Sequence, residues 1–182
     1  MNMLDSLSST LARFIEEKSG EIVKRWAKKV ASHASTGSFA KANLGVIERD
    51  AYEVLREFER WMSSQATRTD IGRWYAAQGQ SFFKMGIPLC EVYRAHILLK
   101  NILQKFVEQE TVQFDSAIQV SMLREFQQNV DFFFEQAFYY LIRGYAEAMN
   151  DRMMELWGLS DNDTVKVFFG RSFYGESKGS DF

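Results

Sequence analysis

Scarcity is the first feature of this sequence: among 182 residues there are one cysteine, one proline and two histidines. Each shortage removes a class of structure. A lone thiol, Cys90, excludes an intrachain disulfide and any multi-cysteine metal site. A single proline leaves long stretches free of the residue that most reliably breaks a helix. Neither His33 nor His96 has a glutamate three residues before it, so the Glu-x-x-His pattern of a di-metal carboxylate bundle is missing and no metal site is expected. Also missing are GxSxG, the phosphate-cradling GxxxxGK[ST], HExxH and GxGxxG. Acidic pairs such as Glu16 with Glu17, or Glu57 with Glu59, lie among Lys and Arg at ordinary surface spacing. No catalytic set can be assembled, and an enzyme is not expected.

Charge is equally uninformative in sign. A formal net charge of −2 does not favour nucleic acid. The one basic cluster, Lys24, Arg25, Lys28 and Lys29, falls opposite Ile22, Trp26 and Val30 and reads as a solvated helix face. No uncharged apolar run approaches the ~18 residues of a membrane span. The start, MNMLDSLSST, lacks the basic beginning and apolar segment of a signal peptide. A cytoplasmic protein with no membrane association is the expectation.

What is present is helical periodicity. Leu7, Leu11, Phe14 and Ile15 begin one helix, Gly20 is expected to interrupt it, and a second carries Ile22, Val23, Trp26 and Val30 as far as the loop ASTGSFAKAN. Asn43 can cap a third helix with a clean stripe of Leu44, Ile47, Ala51, Val54, Leu55, Phe58, Trp61 and Met62. Thr67 with Asp70 gives a capping box for a fourth, ended by Gly86, and Pro88 opens a fifth, so Gly86-Ile87-Pro88 reads as a tight corner. The sequence predicts an all-α fold of about six helices, globin-like or bundle-like, over residues 1–157, followed by a polar, Gly-rich tail with Phe and Tyr over residues 158–182.

The long C-terminal helix organises the rest. From about Phe114 to Trp157 there is no proline and one glycine, Gly144, where a bend is expected unless the helix projects beyond its core. Asp115 or Ser116 can cap its start. Leu123, Phe126, Val130, Phe133, Ala137, Leu141 and Gly144 share one stripe. Phe134, Phe138, Ile142, Tyr145, Met149, Met153 and Leu156 form another, beginning later. The first stripe suits the chain's own core. The second is read as a surface for a partner, most simply a second copy of the chain.

Two polar residues interrupt apolar faces of consecutive helices, Gln78 on the fourth and His96 on the fifth. Sparse polar groups in an apolar setting are how small-ligand pockets orient a ligand. A mutual hydrogen bond, or two separately satisfied groups, is the plainer alternative.

Glu21-Ile22-Val23-Lys24-Arg25-Trp26, then Gly79 and MGIPLCEVYRAHILLK from Met85, carry a family likeness. They resemble the N-terminal domain of RsbRD-type RsbT co-antagonists, the sensory half of bacterial stressosome proteins. The matching positions are Gly86, Pro88, Leu89, Val92, Ala95, Leu98 and Leu99. The resemblance implies a cytoplasmic regulatory domain, related in architecture to non-haem globins and dimeric through its long helix, that signals to a regulatory partner protein. In such proteins that helix leads into a phosphorylatable STAS domain. The 25 residues after Trp157 hold none, so the phosphorylation switch is not expected here. No cofactor is expected; a globin-type sensor holding haem through His96, or another small ligand, is the alternative.

Overall fold

The computed structural model describes residues 3–41, 44–63, 65–111 and 117–157, and every regular element among them is helical. The expected all-α fold is present as α1 (Met3–Ser32), α2 (Gly37–Lys41), α3 (Leu44–Met62), α4 (Arg68–Lys84), α5 (Leu89–Thr111) and α6 (Ala117–Trp157). A 3-10 turn at Ala34–Thr36 links α1 to α2. The caps expected at Asn43 and at Asp115 or Ser116, and the tail from residue 158, lie outside the described residues.

The division into helices differs from expectation at two places. Gly20 does not interrupt: α1 runs unbroken through it, carrying Ile15, Ile22, Val23, Trp26 and Val30 into the core on one face. A mid-helix glycine costs about 1 kcal/mol relative to alanine, less than burial of that face returns. Residues 34–41 of the expected loop ASTGSFAKAN are instead the 3-10 turn and α2. His33 caps the turn, its Nδ1 accepting from the Ser35 N–H at 3.1 Å. Buried Thr36 donates its hydroxyl to the Val30 carbonyl at 2.7 Å. The Glu91 carboxylate on α5 accepts from the Ser38 N–H at 2.7 Å and its hydroxyl at 3.0 Å, which pins α2 and turns Phe39 inward.

Between α4 and α5 the chain folds as its residues indicate. Thr67 accepts from the Asp70 N–H at 3.2 Å and its own N–H donates to Asp70 at 3.1 Å, completing the capping box. At the far end Gly86 takes φ +70°. Its N–H donates to the Phe83 carbonyl at 2.9 Å and that of Ile87 to Phe82 at 3.1 Å, the paired bonds of a Schellman cap.

α6 spans 41 residues, about 60 Å of helix, and continues without interruption through Gly144. Gly144 is therefore not a break. A Cβ there would lie 1.9 Å from the Ala76 carbonyl oxygen, and one at Gly79 would lie 2.1 Å from that of Leu141. The two glycines let the backbones of α4 and α6 touch. Arg68, Gly72, Ala76 and Gln80 of α4 meet Phe132, Tyr140, Gly144 and Glu147 of α6 in rising order, so these helices run in the same direction. α5 runs opposite to α6: Glu108 pairs with Gln127, Gln104 with Asp131, and His96 packs on Phe138. Beside the crossing lies an aromatic core in which Phe133 stands 5.0 Å from Phe58, 5.7 Å from Trp61 and 6.0 Å from Tyr75 between ring centroids.

Candidate functional site

Gln78 and His96 line the same cavity. Its wall is built from five helices: Trp26 from α1, Phe39 from α2, Val54 from α3, Trp74 and Phe82 from α4, and Leu99 from α5. The space inside is about 20 Å³, room for one group the size of a water molecule. A third polar residue, Asp50 of α3, also lines it. Sequence reasoning passed over Asp50, although its signal was there: a carboxylate three residues after Ile47 and one before Ala51, at the edge of the cleanest apolar stripe in the chain.

The three polar groups are in different states. The His96 Nδ1 lies 2.9 Å from the Val92 carbonyl oxygen; a carbonyl only accepts, so Nδ1 carries the proton and Nε2 presents its lone pair. Burial among the rings of Tyr75, Phe82 and Phe138 pulls the imidazole pKa down to about 4, against the smaller opposing effect of the Val92 bond. His96 is thus neutral at physiological pH. Burial raises the Asp50 carboxyl, with neighbouring Arg49 pulling the other way. Neither Asp50 nor Gln78 has a hydrogen-bond partner among the described residues, so the mutual Gln78-His96 bond allowed by the sequence is not formed. The Trp26 indole N–H is committed to the Ala95 carbonyl at 2.7 Å, which leaves its ring as the surface offered.

Haem does not fit these residues. A free Nε2 on a backbone-anchored histidine is the right kind of donor, but pockets for such groups measure roughly 300 Å³ or more, and here aromatic rings close on the imidazole at 5.8 to 6.2 Å between centroids. Among the described residues no group of three His, Cys, Asp or Glu side chains is arranged to hold a metal ion.

The surface expected on α6 divides. Phe134 and Phe138 are buried in the chain's own body, Phe138 against Tyr93 and His96. Tyr145 packs edge-on against Phe83 and donates its hydroxyl to the Ile87 carbonyl at 3.1 Å, tying α6 to the α4-α5 corner. Those three residues face inward because α6 lies against α4 and α5 at once. Ile142 and Leu156 are exposed, 43% and 59%, and Met149 and Met153 are half-buried. With Tyr139, 56% exposed, and half-buried Ala146 they form a line spaced three, four, three, four and three residues apart. That is the a/d seam of a coiled coil. Periodicity alone does not pick out Tyr139 and Ala146, because a 100° wheel does not separate this seam from the buried edge beside it.

No family model, curated protein or solved structure matches the chain. Among the described residues no helix is long and apolar enough to cross a membrane.

Proposed function

We propose that this chain is a non-enzymatic regulatory module of the kind the RsbRD resemblance implies, in which the state of the Asp50-Gln78-His96 cavity sets the packing of α6 and α6 is read by a partner. One observation carries this reading: each of the two polar residues on α4 and α5 stands one contact from α6. Gln78 adjoins Gly79, whose Cα lies against the Leu141 and Tyr145 backbone, and His96 meets Phe138 edge-on at 5.8 Å. Closely packed helices move as units. A group that enters or leaves the cavity therefore displaces α4 or α5 and, through the glycine crossing, biases the position of α6, a population shift in the ordinary sense.

The output surface is the seam from Tyr139 to Leu156, and its first partner is a second copy of the chain. Two identical a/d seams are self-complementary. In a parallel pair the flanking arginines, Arg143 and Arg152, fall in different heptads and do not oppose each other. A cytoplasmic homodimer that signals to a further regulatory protein is the resulting picture. The parent chain should scatter light as a dimer, and replacing both Ile142 and Met149 by glutamate should give a monomer with unchanged helix content by circular dichroism. A double variant that stays dimeric removes this seam as the interface.

A further inference from the structure

Resting on that reading of the cavity as the signal site, we propose that the group it receives is a small, uncharged, apolar molecule, a dissolved gas of about the size of dioxygen. Three residues with polar side chains line the cavity, but its surface is almost wholly apolar, so Asp50, Gln78 and His96 contribute chiefly carbon to it. Two of the N–H groups in the wall are already committed, His96 Nδ1 to the Val92 carbonyl and the Trp26 indole to that of Ala95. Asp50, Trp74 and Gln78 are half-buried and mark the cavity's edge toward solvent, between α3 and α4. Phe39, Phe82 and Leu99 close the inner side.

Such walls select their guest by what they fail to offer. A buried water keeps about three hydrogen bonds, and this surface has almost no polar atoms to supply them. An ion would lose its hydration with nothing in exchange. A space of about 20 Å³ also excludes a ring or an alkyl chain, which occupy pockets of roughly 300 Å³ or more. One or two heavy atoms without charge are what remain. Carbon packed around such a guest regains the dispersion contacts that a void forfeits, the reason apolar cavities take up xenon. The guest would sit among α3, α4 and α5, and α4 and α5 are the two of these that pack most on α6.

The probe is xenon, applied under pressure to the full chain, with the methyl resonances of Ile47, Val54 and Leu99 as the readout and helium at equal pressure as the control. Xenon should shift these methyls saturably and helium should not. Dioxygen added to the xenon atmosphere should displace it and enhance the relaxation of the same methyls. Ala51→Val, which fills the space from α3, should weaken xenon binding about tenfold or more; the displacement by dioxygen is measured in the parent and stands whether or not the variant folds. Shifts that helium reproduces, no saturation, or unchanged binding in Ala51→Val would overturn the proposal, as would xenon that dioxygen does not displace or a long-lived water seen by these methyls. Saturable binding, displaced by dioxygen, that left the α6 resonances unmoved would sustain the ligand class and instead defeat the proposed coupling.

Discussion

Gly144→Ala is expected to destabilise the fold by about 3 kcal/mol or more, with a fall in melting temperature of about 10 °C. The added Cβ would sit 1.9 Å from the Ala76 carbonyl oxygen, 2.6 Å from its carbon and 2.7 Å from its Cα. These are backbone atoms on a packed helix, so no side chain can rotate out of the way and α4 must separate from α6. Gly79→Ala should act in the same direction, since its Cβ would meet the Leu141 oxygen at 2.1 Å and the Tyr145 nitrogen at 2.7 Å. Because either substitution opens the same crossing, the double variant should cost less than the two single effects added. Gly72 provides the contrast: its Cβ would meet only the Tyr140 ring, at 2.9 Å, and a ring can move. Urea unfolding of the parent, the three single glycine-to-alanine variants and the double variant measures all of this. Near-neutral behaviour of Gly144→Ala would mean that α4 and α6 do not touch as described.

A second large effect follows from His96. Its pKa is about 4 in the folded chain and 6.5 in an unfolded one, so the unfolded state takes up the proton first. The stability tied to the neutral imidazole is therefore fully present above pH 6.5 and is lost as pH falls toward 4, about 3 kcal/mol in all. Asp50 and Glu59 work against this loss, because burial raises both carboxyls and the folded state then accepts their protons more readily than the unfolded one. The difference between parent and His96→Asn isolates the histidine. The parent should lose stability relative to the variant across that window, and parallel pH profiles would mean that His96 is solvated in the native state.

Glycine shows why part of this fold was legible and part was not. At Gly86 the chain needs a positive φ, and the neighbouring Pro88 and the end of an apolar stripe mark that need locally, so the corner could be read. At Gly79 and Gly144 the requirement is the absence of a Cβ, imposed by a helix more than 60 residues away in sequence, and no local signal carries it. Gly144 then looks like a bend and Gly20 like a stop, although both lie in unbroken helix. The capping box at Thr67 and Asp70 was legible for the same reason as Gly86: both partners sit within one turn. α2 was not, because its short stretch is held by Glu91 and by the burial of Thr36 and Phe39, all tertiary effects.

The site follows the same division. Gln78 and His96 could be picked out as polar interruptions of apolar faces, and the structure brings them to one cavity. That Asp50 joins them depends on how α3 rotates against α4 and α5, which periodicity leaves open. On α6 the periodicity located an outward surface near Ile142, Met149, Met153 and Leu156, but the partition between inward and outward edges required knowing that α4 and α5 both pack there.

The central claim is that the cavity and the outer edge of α6 are coupled, and amide hydrogen exchange in Ala51→Val tests it most directly. Ala51 is buried in the cavity wall on α3, which makes far less contact with α6 than α4 does, so the added methyl groups fill the space without touching the seam. The account predicts altered protection of the α6 amides over residues 139–156, with α1 near Ile15 unchanged. A change confined to the cavity walls, with α6 exchanging as in the parent, would contradict it.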